Sequence, residues 1–289
     1  MRDYWARVIP ELSGIPAIFR KLFSETCQVS EDFPYTVFAP ADWWGGKRVN
    51  PKLLWIYGDR LFFLEAKWRE LIRLCIPLAE ATGVEMGRLL LHSWIKIEGI
   101  ADGAPKEIML EYNTVVSPVI QPIAEAIRTA AAGIAADASL DSLHSEHEKF
   151  IYLGKINYKY MNFAKASLLP GEKVLCHVYE PDIYGKKSFF GTTCCPVHLV
   201  ILTDRELIVI RDGHGRKRKE DMRYGGIWSY TPLGKIGGLT LTHKNEELLL
   251  TVCLTSGSCL STMFDAAQAD RLRQLIKTHD ALHAYTHTA

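Results

Sequence analysis

Two short stretches of this chain combine side chains suited to a surface that is anionic and partly apolar. One is Trp43-Trp44-Gly45-Gly46-Lys47-Arg48; the other is Tyr184-Gly185-Lys186-Lys187-Ser188-Phe189-Phe190-Gly191. Each sets adjacent aromatic rings beside two cations and flexible glycine. Aromatic rings settle at the boundary between water and lipid, and each Lys or Arg near an anionic bilayer contributes about 1 kcal/mol. The same residues fit a plainer reading, in which the rings fold back onto the protein and the cations are merely solvated. A third cluster, the consecutive cations Arg216-Lys217-Arg218-Lys219, suits acidic lipid, phosphate or an acidic protein segment. It also suits a hairpin tip kept soluble by charge.

Metal and catalytic chemistry find less support. His144 and His147 can share one helical face, and His279, His283 and His287 follow at intervals of four. Neither set has the further Cys or His ligands of a closed metal site nearby in sequence, so a surface pair and a helix end are expected. The seven cysteines lack paired spacing and are expected to be reduced thiols, each a small buried or half-buried side chain. There is no nucleophile elbow, P-loop, HExxH or Cys-x-x-Cys. No enzyme activity, cofactor or metal is expected.

The bulk composition narrows the partners. A net charge of +1 provides no global field for nucleic acid, so electrostatic recognition has to be local. The start, Met1-Arg2-Asp3-Tyr4-Trp5-Ala6-Arg7, has no secretory apolar core. The longest uncharged run, Leu248 to Phe264, is broken by Thr255-Ser256-Gly257-Ser258 and falls short of the roughly 20 apolar residues a bilayer requires. A cytoplasmic chain is expected, with peripheral contact at the inner face of the membrane as the alternative.

The elements that position these residues occur twice. Leu53-Leu54-Trp55-Ile56-Tyr57, Gly58-Asp59-Arg60 and Leu61-Phe62-Phe63-Leu64 are matched by Leu199-Val200-Ile201-Leu202-Thr203, Asp204-Arg205-Glu206 and Leu207-Ile208-Val209-Ile210. Each is a strand, a tight polar turn and a second strand. Ile76-Pro77-Leu78 recurs as Thr231-Pro232-Leu233. Strands are expected at 34–40, 52–58, 60–66, 69–77, 86–91, 93–99 and 106–112, with a helix opening at Ser117-Pro118. The second set falls at 173–180, 197–203, 205–211, 226–232, 236–243, 246–254 and 258–264. A helix over 266–282 follows, with Asp265 and Gln268 as its capping pair.

Seven short antiparallel strands closed by one helix resemble the pleckstrin-homology (PH)-like fold. The wording His198-Leu199-Val200-Ile201-Leu202-Thr203-Asp204-Arg205-Glu206-Leu207 is similar to the second and third strands of bacterial PH-like domains. Pro51 to Leu64 resembles them more loosely. The resemblance implies a mainly β protein with α: two tandem PH-like domains, each a seven-stranded antiparallel barrel or sandwich with a C-terminal helix. They span 33–133 and 171–284, preceded by a helical segment over 1–32 and joined by a helical connector over 134–170. Headgroup-binding members of the superfamily carry Lys/Arg-x-Arg on the second strand, where these halves have only Lys52 and His198. The resemblance therefore transfers a fold and little function.

The expectation is a non-catalytic scaffold or adaptor that takes a protein or peptide by strand addition at an open sheet edge, or in the groove beside the C-terminal helix. The alternative is peripheral attachment to anionic lipid through the paired aromatic–basic loops. Self-assembly into a homo-oligomer is a third reading. The candidate ligand-binding residues are Trp43, Trp44, Lys47, Arg48, Lys186, Lys187, Phe189, Phe190, Arg216, Lys217, Arg218 and Lys219.

Overall fold

The fold is that of a computed structural model, which describes residues 5–27, 32–44, 46–68, 70–134, 141–184, 193–212, 225–244 and 247–286. The chain opens with β1 (Arg7–Ile9) and α1 (Ala17–Thr26). Next come β2 (Thr36–Ala39), the small hairpin of β3 (Asp42–Trp44) and β4 (Lys47–Val49), and then β5 (Lys52–Tyr57), β6 (Arg60–Lys67) and β7 (Glu70–Pro77). β8 (Ala81–Leu89), β9 (His92–Ala101), β10 (Ala104–Asn113) and α2 (Ser117–Ala131) complete the first half. Three helices follow: α3 (Asp141–Glu148), α4 (Leu153–Ile156) and α5 (Tyr158–Ser167). The second half runs through β11 (Val174–Glu180), β12 (Ile183–Tyr184), β13 (Thr193–Cys195), β14 (His198–Thr203), β15 (Glu206–Arg211) and β16 (Gly226–Pro232). It ends with β17 (Ile236–Lys244), β18 (Glu247–Leu254), β19 (Cys259–Asp265) and α6 (Ala269–Thr286).

The repetition seen in the sequence is carried into the geometry. Arg60 pairs with Pro77 across β6–β7, and Glu206 pairs with Pro232 across β15–β16. After each proline comes one turn of 3-10 helix, at Leu78–Glu80 and at Leu233–Lys235. The Leu78 N–H donates to the Asp59 carbonyl at 2.8 Å, and the Leu233 N–H donates to the Arg205 carbonyl at 2.9 Å. Proline fixes φ and has no N–H to continue the ladder, so both strands end where the chain must turn. Even the register shift at the start of the next strand recurs, at Ala81/Gly83 and at Ile236/Gly238.

Double-sided burial explains the unbroken apolar runs. The inner face of β5–β6 places Leu54, Leu61 and Phe63 in one core with Ile95, Ile97 and α2. The outer face, with Leu53, Trp55, Phe62 and Leu64, packs against Phe19 and Phe23 of α1. In the second half Val200, Leu202, Leu207 and Val209 face Leu248, Leu250, Phe264 and Leu272. Their neighbours Leu199, Ile201, Ile208 and Ile210 face the other way, into the core that holds Ile127, Phe150 and Tyr160. A strand covered on both faces has no reason to alternate polar and apolar residues.

Of the expected barrel or sandwich, the sheet topology corrects the barrel. No sheet closes on itself among the described residues, and the halves are not separate: β10-β9-β8-β16-β15-β14-β11 form one seven-stranded antiparallel sheet. β8 of the first half pairs with β16 of the second, from Val84–Tyr230 to Arg88–Gly226. β1, β2, β5, β6 and β7 make a five-stranded sheet and β17–β19 a three-stranded one. An edge strand can satisfy its backbone groups on any strand that reaches it, and here that strand belongs to the other half.

Buried charge reinforces this junction. Arg128 of α2 donates to Glu206 of β15 at 2.7 Å, lies 3.7 Å from Glu172, and donates to the Ser167 carbonyl at 2.8 Å. Its guanidinium also sits 3.7 Å from the ring centroid of Tyr230. Burial, and then the charge of Glu206, push the Glu172 carboxyl up to about 7.

Three smaller expectations also change. The N-terminal segment is not all helical, because Pro10 ends a strand, β1, that pairs with β2. Gln268 does not complete a capping box: Asp265 accepts from the Ala267 N–H at 2.8 Å, while the Gln268 amide donates to the Tyr179 carbonyl at 3.3 Å. The cysteines are not all thiols, since Cys253 and Cys259 are directly opposed across β18–β19 and form a disulfide. Spacing in sequence does not reveal that pairing; the hairpin register creates it.

Candidate functional site

One end of the first half gathers exposed apolar side chains that a folded core does not use. The β3–β4 hairpin leaves the sheet between Ala39 and Lys52, and the β6–β7 turn at Trp68 lies at the same end, because Lys52 pairs with Glu65 and Lys67 with Glu70. The β8–β9 turn, Leu90–Leu91, arrives there too: the Trp44 ring stacks on His92 with centroids 4.8 Å apart. The Thr114 N–H donates to the Leu91 carbonyl at 2.9 Å, which sets Val115 alongside. Trp43 is 67% exposed, Trp68 92%, Leu90 52%, Leu91 62% and Val115 59%.

Two of these residues adopt backbone conformations that bulky side chains avoid. Trp68 has φ +45° and Leu90 has φ +51°. A non-glycine residue in this region costs about 1–2 kcal/mol. Asp102-Gly103, in the two-residue β9–β10 turn at the other end of β9, shows the residues that usually accept positive φ, at +52° and +73°. Trp68 and Leu90 thus keep bulky apolar side chains exposed in turns whose backbone conformation costs free energy.

The sequence-derived candidates divide among several places. Trp43 projects to solvent, as do Lys47 and Arg48, whereas Trp44 is half-buried against His92. One of the two tryptophans is displayed to solvent and the other folds back onto the protein. Lys67 is exposed at the same end. Lys186, Lys187, Phe189, Phe190, Arg216, Lys217, Arg218 and Lys219 lie outside the described residues. Lys52 and His198, at the positions where headgroup binders carry their basic motif, are both buried. Burial pushes the Lys52 amine down, and pushes the His198 imidazole down to about 4. Sequence reasoning missed Trp68, Leu90, Leu91 and Val115. Leu90 and Leu91 were assigned to the end of a strand over 86–91, which the structure starts at Ala81 and ends at Leu89.

Two cavities lie elsewhere. A cleft of about 380 Å³ follows the seam between the halves. Its charges already neutralise one another, with Arg211 on Glu85 at 3.1 Å and Lys96 on Glu98 at 2.6 Å. A groove of about 570 Å³ runs between β11 and α6. Among the described residues no group of three or more His, Cys, Asp or Glu could hold a metal ion. His279 packs on His283 with ring centroids 4.6 Å apart, and the His283 Nε2 lies 3.1 Å from the Leu233 carbonyl. No described helix is long and apolar enough to cross a membrane.

Comparison with protein-family models and with curated proteins finds no match to this chain.

Proposed function

We propose that this chain is a non-catalytic binding module of two PH-like repeats, and that the exposed end of its first half docks on an anionic membrane surface. The observation that carries the reading is the set Trp43, Trp68, Leu90, Leu91 and Val115 at one end, beside the exposed cations Lys47, Arg48 and Lys67. Indole rings partition to the headgroup level, aliphatic side chains enter the acyl boundary, and cations pair with lipid phosphate. Exposed large apolar side chains gathered at one end of a folded surface favour an interaction site there.

Sedimentation with vesicles tests it. Vesicles containing phosphatidylserine are expected to bring the protein down at low salt, and phosphatidylcholine vesicles are not. Raising the salt to 0.5 M weakens binding because exposed charges are screened beyond a few ångströms. Lys47→Ser with Arg48→Ser removes about 2 kcal/mol at the rate of about 1 kcal/mol per cation, roughly a thirtyfold loss. Equal sedimentation of the double variant and the parent would rule out this end as the contact.

A further inference from the structure

We infer that the groove between β11 and α6 is a docking site for an extended peptide strand that carries apolar residues and at least one carboxylate. β11 is the outermost strand of the seven-stranded sheet, so one of its two edges has no strand partner among the described residues. That edge is closed at its start, where the Val174 N–H donates to Glu146 at 2.5 Å and Lys149 donates to the Val174 carbonyl at 2.8 Å. It is closed again at the Tyr179 carbonyl, which accepts from Gln268. Between the two closures lies His177. Residues two apart on a strand present their backbone groups to the same edge, so His177 offers its N–H and C=O to the side that Gln268 approaches.

The walls suit a strand better than a small molecule. α6 supplies Asp270, Arg271 and Gln274 on one side, Lys149 stands on the other, and Leu175, Cys176 and His177 form the floor. Leu175 is exposed in the groove, and Ile151 and Tyr152 extend the apolar surface beyond it. The Tyr152 hydroxyl lies 2.9 Å from His177 Nε2 and fixes that ring at the groove's side.

Charge selects the peptide. Lys149 is paired with Glu146 at 2.7 Å, while Asp270 and Arg273 make an exposed i,i+3 pair at 2.9 Å that solvent screens. Arg271 has no ion pair among the described residues, and its charge, after burial, holds the His177 imidazole below its ordinary value. An incoming Asp or Glu would meet Arg271 while the peptide backbone pairs with His177. Backbone pairing provides affinity in this mode, and the flanking side-chain contacts provide specificity.

The probe is a displayed library of random dodecapeptides selected on the full chain. Enrichment of sequences that alternate apolar residues and contain Asp or Glu is expected. Those peptides should bind Arg271→Glu at least tenfold more weakly and Arg271→Lys nearly as well as the parent. Leu175→Asp should also abolish binding, with the thermal midpoint of each variant unchanged. The proposal is overturned if no sequence is enriched, or if enriched peptides bind Arg271→Glu as they bind the parent. It is also overturned if the parent is a dimer in solution that Leu175→Asp converts to a monomer, since a second copy would then fill the groove.

Discussion

Arg128 is the counter-charge for two carboxylates, Glu206 and Glu172, and none of the three side chains meets solvent. One cation cannot fully compensate two buried anions, so Glu172 holds its proton up to about pH 7. The raised value means that the folded state binds a proton the unfolded chain has lost. The contribution is complete below the ordinary value of 4.5 and disappears as the pH rises through 7, a change on the order of 3 kcal/mol. Glu172→Gln keeps the side chain's size, and its carbonyl can still accept from the Leu169 N–H; the Thr203 hydroxyl, whose oxygen already accepts from the Arg205 and Glu206 N–H groups, keeps a partner for its proton in the Glu206 carbonyl at 3.1 Å. Urea unfolding at pH 5 and pH 7.5 should find the variant gaining on the parent as the pH rises. His198, depressed to about 4, adds stability in the opposite direction between pH 4 and 6.5, but it is common to both proteins and cancels. Parallel pH profiles would mean that Glu172 is ionised throughout.

At the scale of elements, the helices that precede each half are part of its core. α1 has only ten residues, too few to persist alone in water, and it is held by Phe19 and Phe23 on the outer face of β5–β6. Phe23 lies 5.0 Å from Trp55 and 5.4 Å from Phe33, ring centre to ring centre. Phe23→Ala should therefore destabilise the fold by about 3–5 kcal/mol, read as a lower urea midpoint; a loss under 1 kcal/mol would make α1 an appendage. The hairpins, Pro77 and Pro232 were legible in the sequence because turn chemistry and strand length are local. The β8–β16 pairing was not, since nothing near Val84 or Tyr230 names a partner so far along the chain. The exposed apolar end was half legible. Trp43, Lys47 and Arg48 stand out by type, whereas Leu90 and Leu91 look like core residues until their φ and exposure are known. The β11–α6 groove was legible only as a class of site, because Leu175, His177 and Arg271 are ordinary residues for a strand and a helix.

On the scale of the whole molecule, the apolar end meets the seven-stranded sheet at β9, next to one edge, and the groove lies at the other edge, β11. His92, beside the apolar end, lies on β9, and the groove lies on β11, five strand spacings away, or about 24 Å. Because the sheet passes through both halves, a protein held at a bilayer by the first half would present the groove of the second at a fixed distance. The central claim is that Trp43 and Trp68 enter the bilayer interface. Fluorescence quenching by vesicles of phosphatidylserine with brominated acyl chains tests it most directly, comparing the parent with Trp43→Phe, Trp68→Phe and the double variant. Of the other five tryptophans, Trp55 and Trp228 are buried, which keeps both out of contact with lipid bromine, and Trp5, Trp44 and Trp94 are half-buried. The account predicts clear quenching of the parent, partial loss in each single variant and the largest loss in the double variant, where Trp44, half-buried in the same hairpin, leaves a small remainder. Equal quenching in parent and double variant, or none in the parent while it is bound to the vesicles, would contradict it.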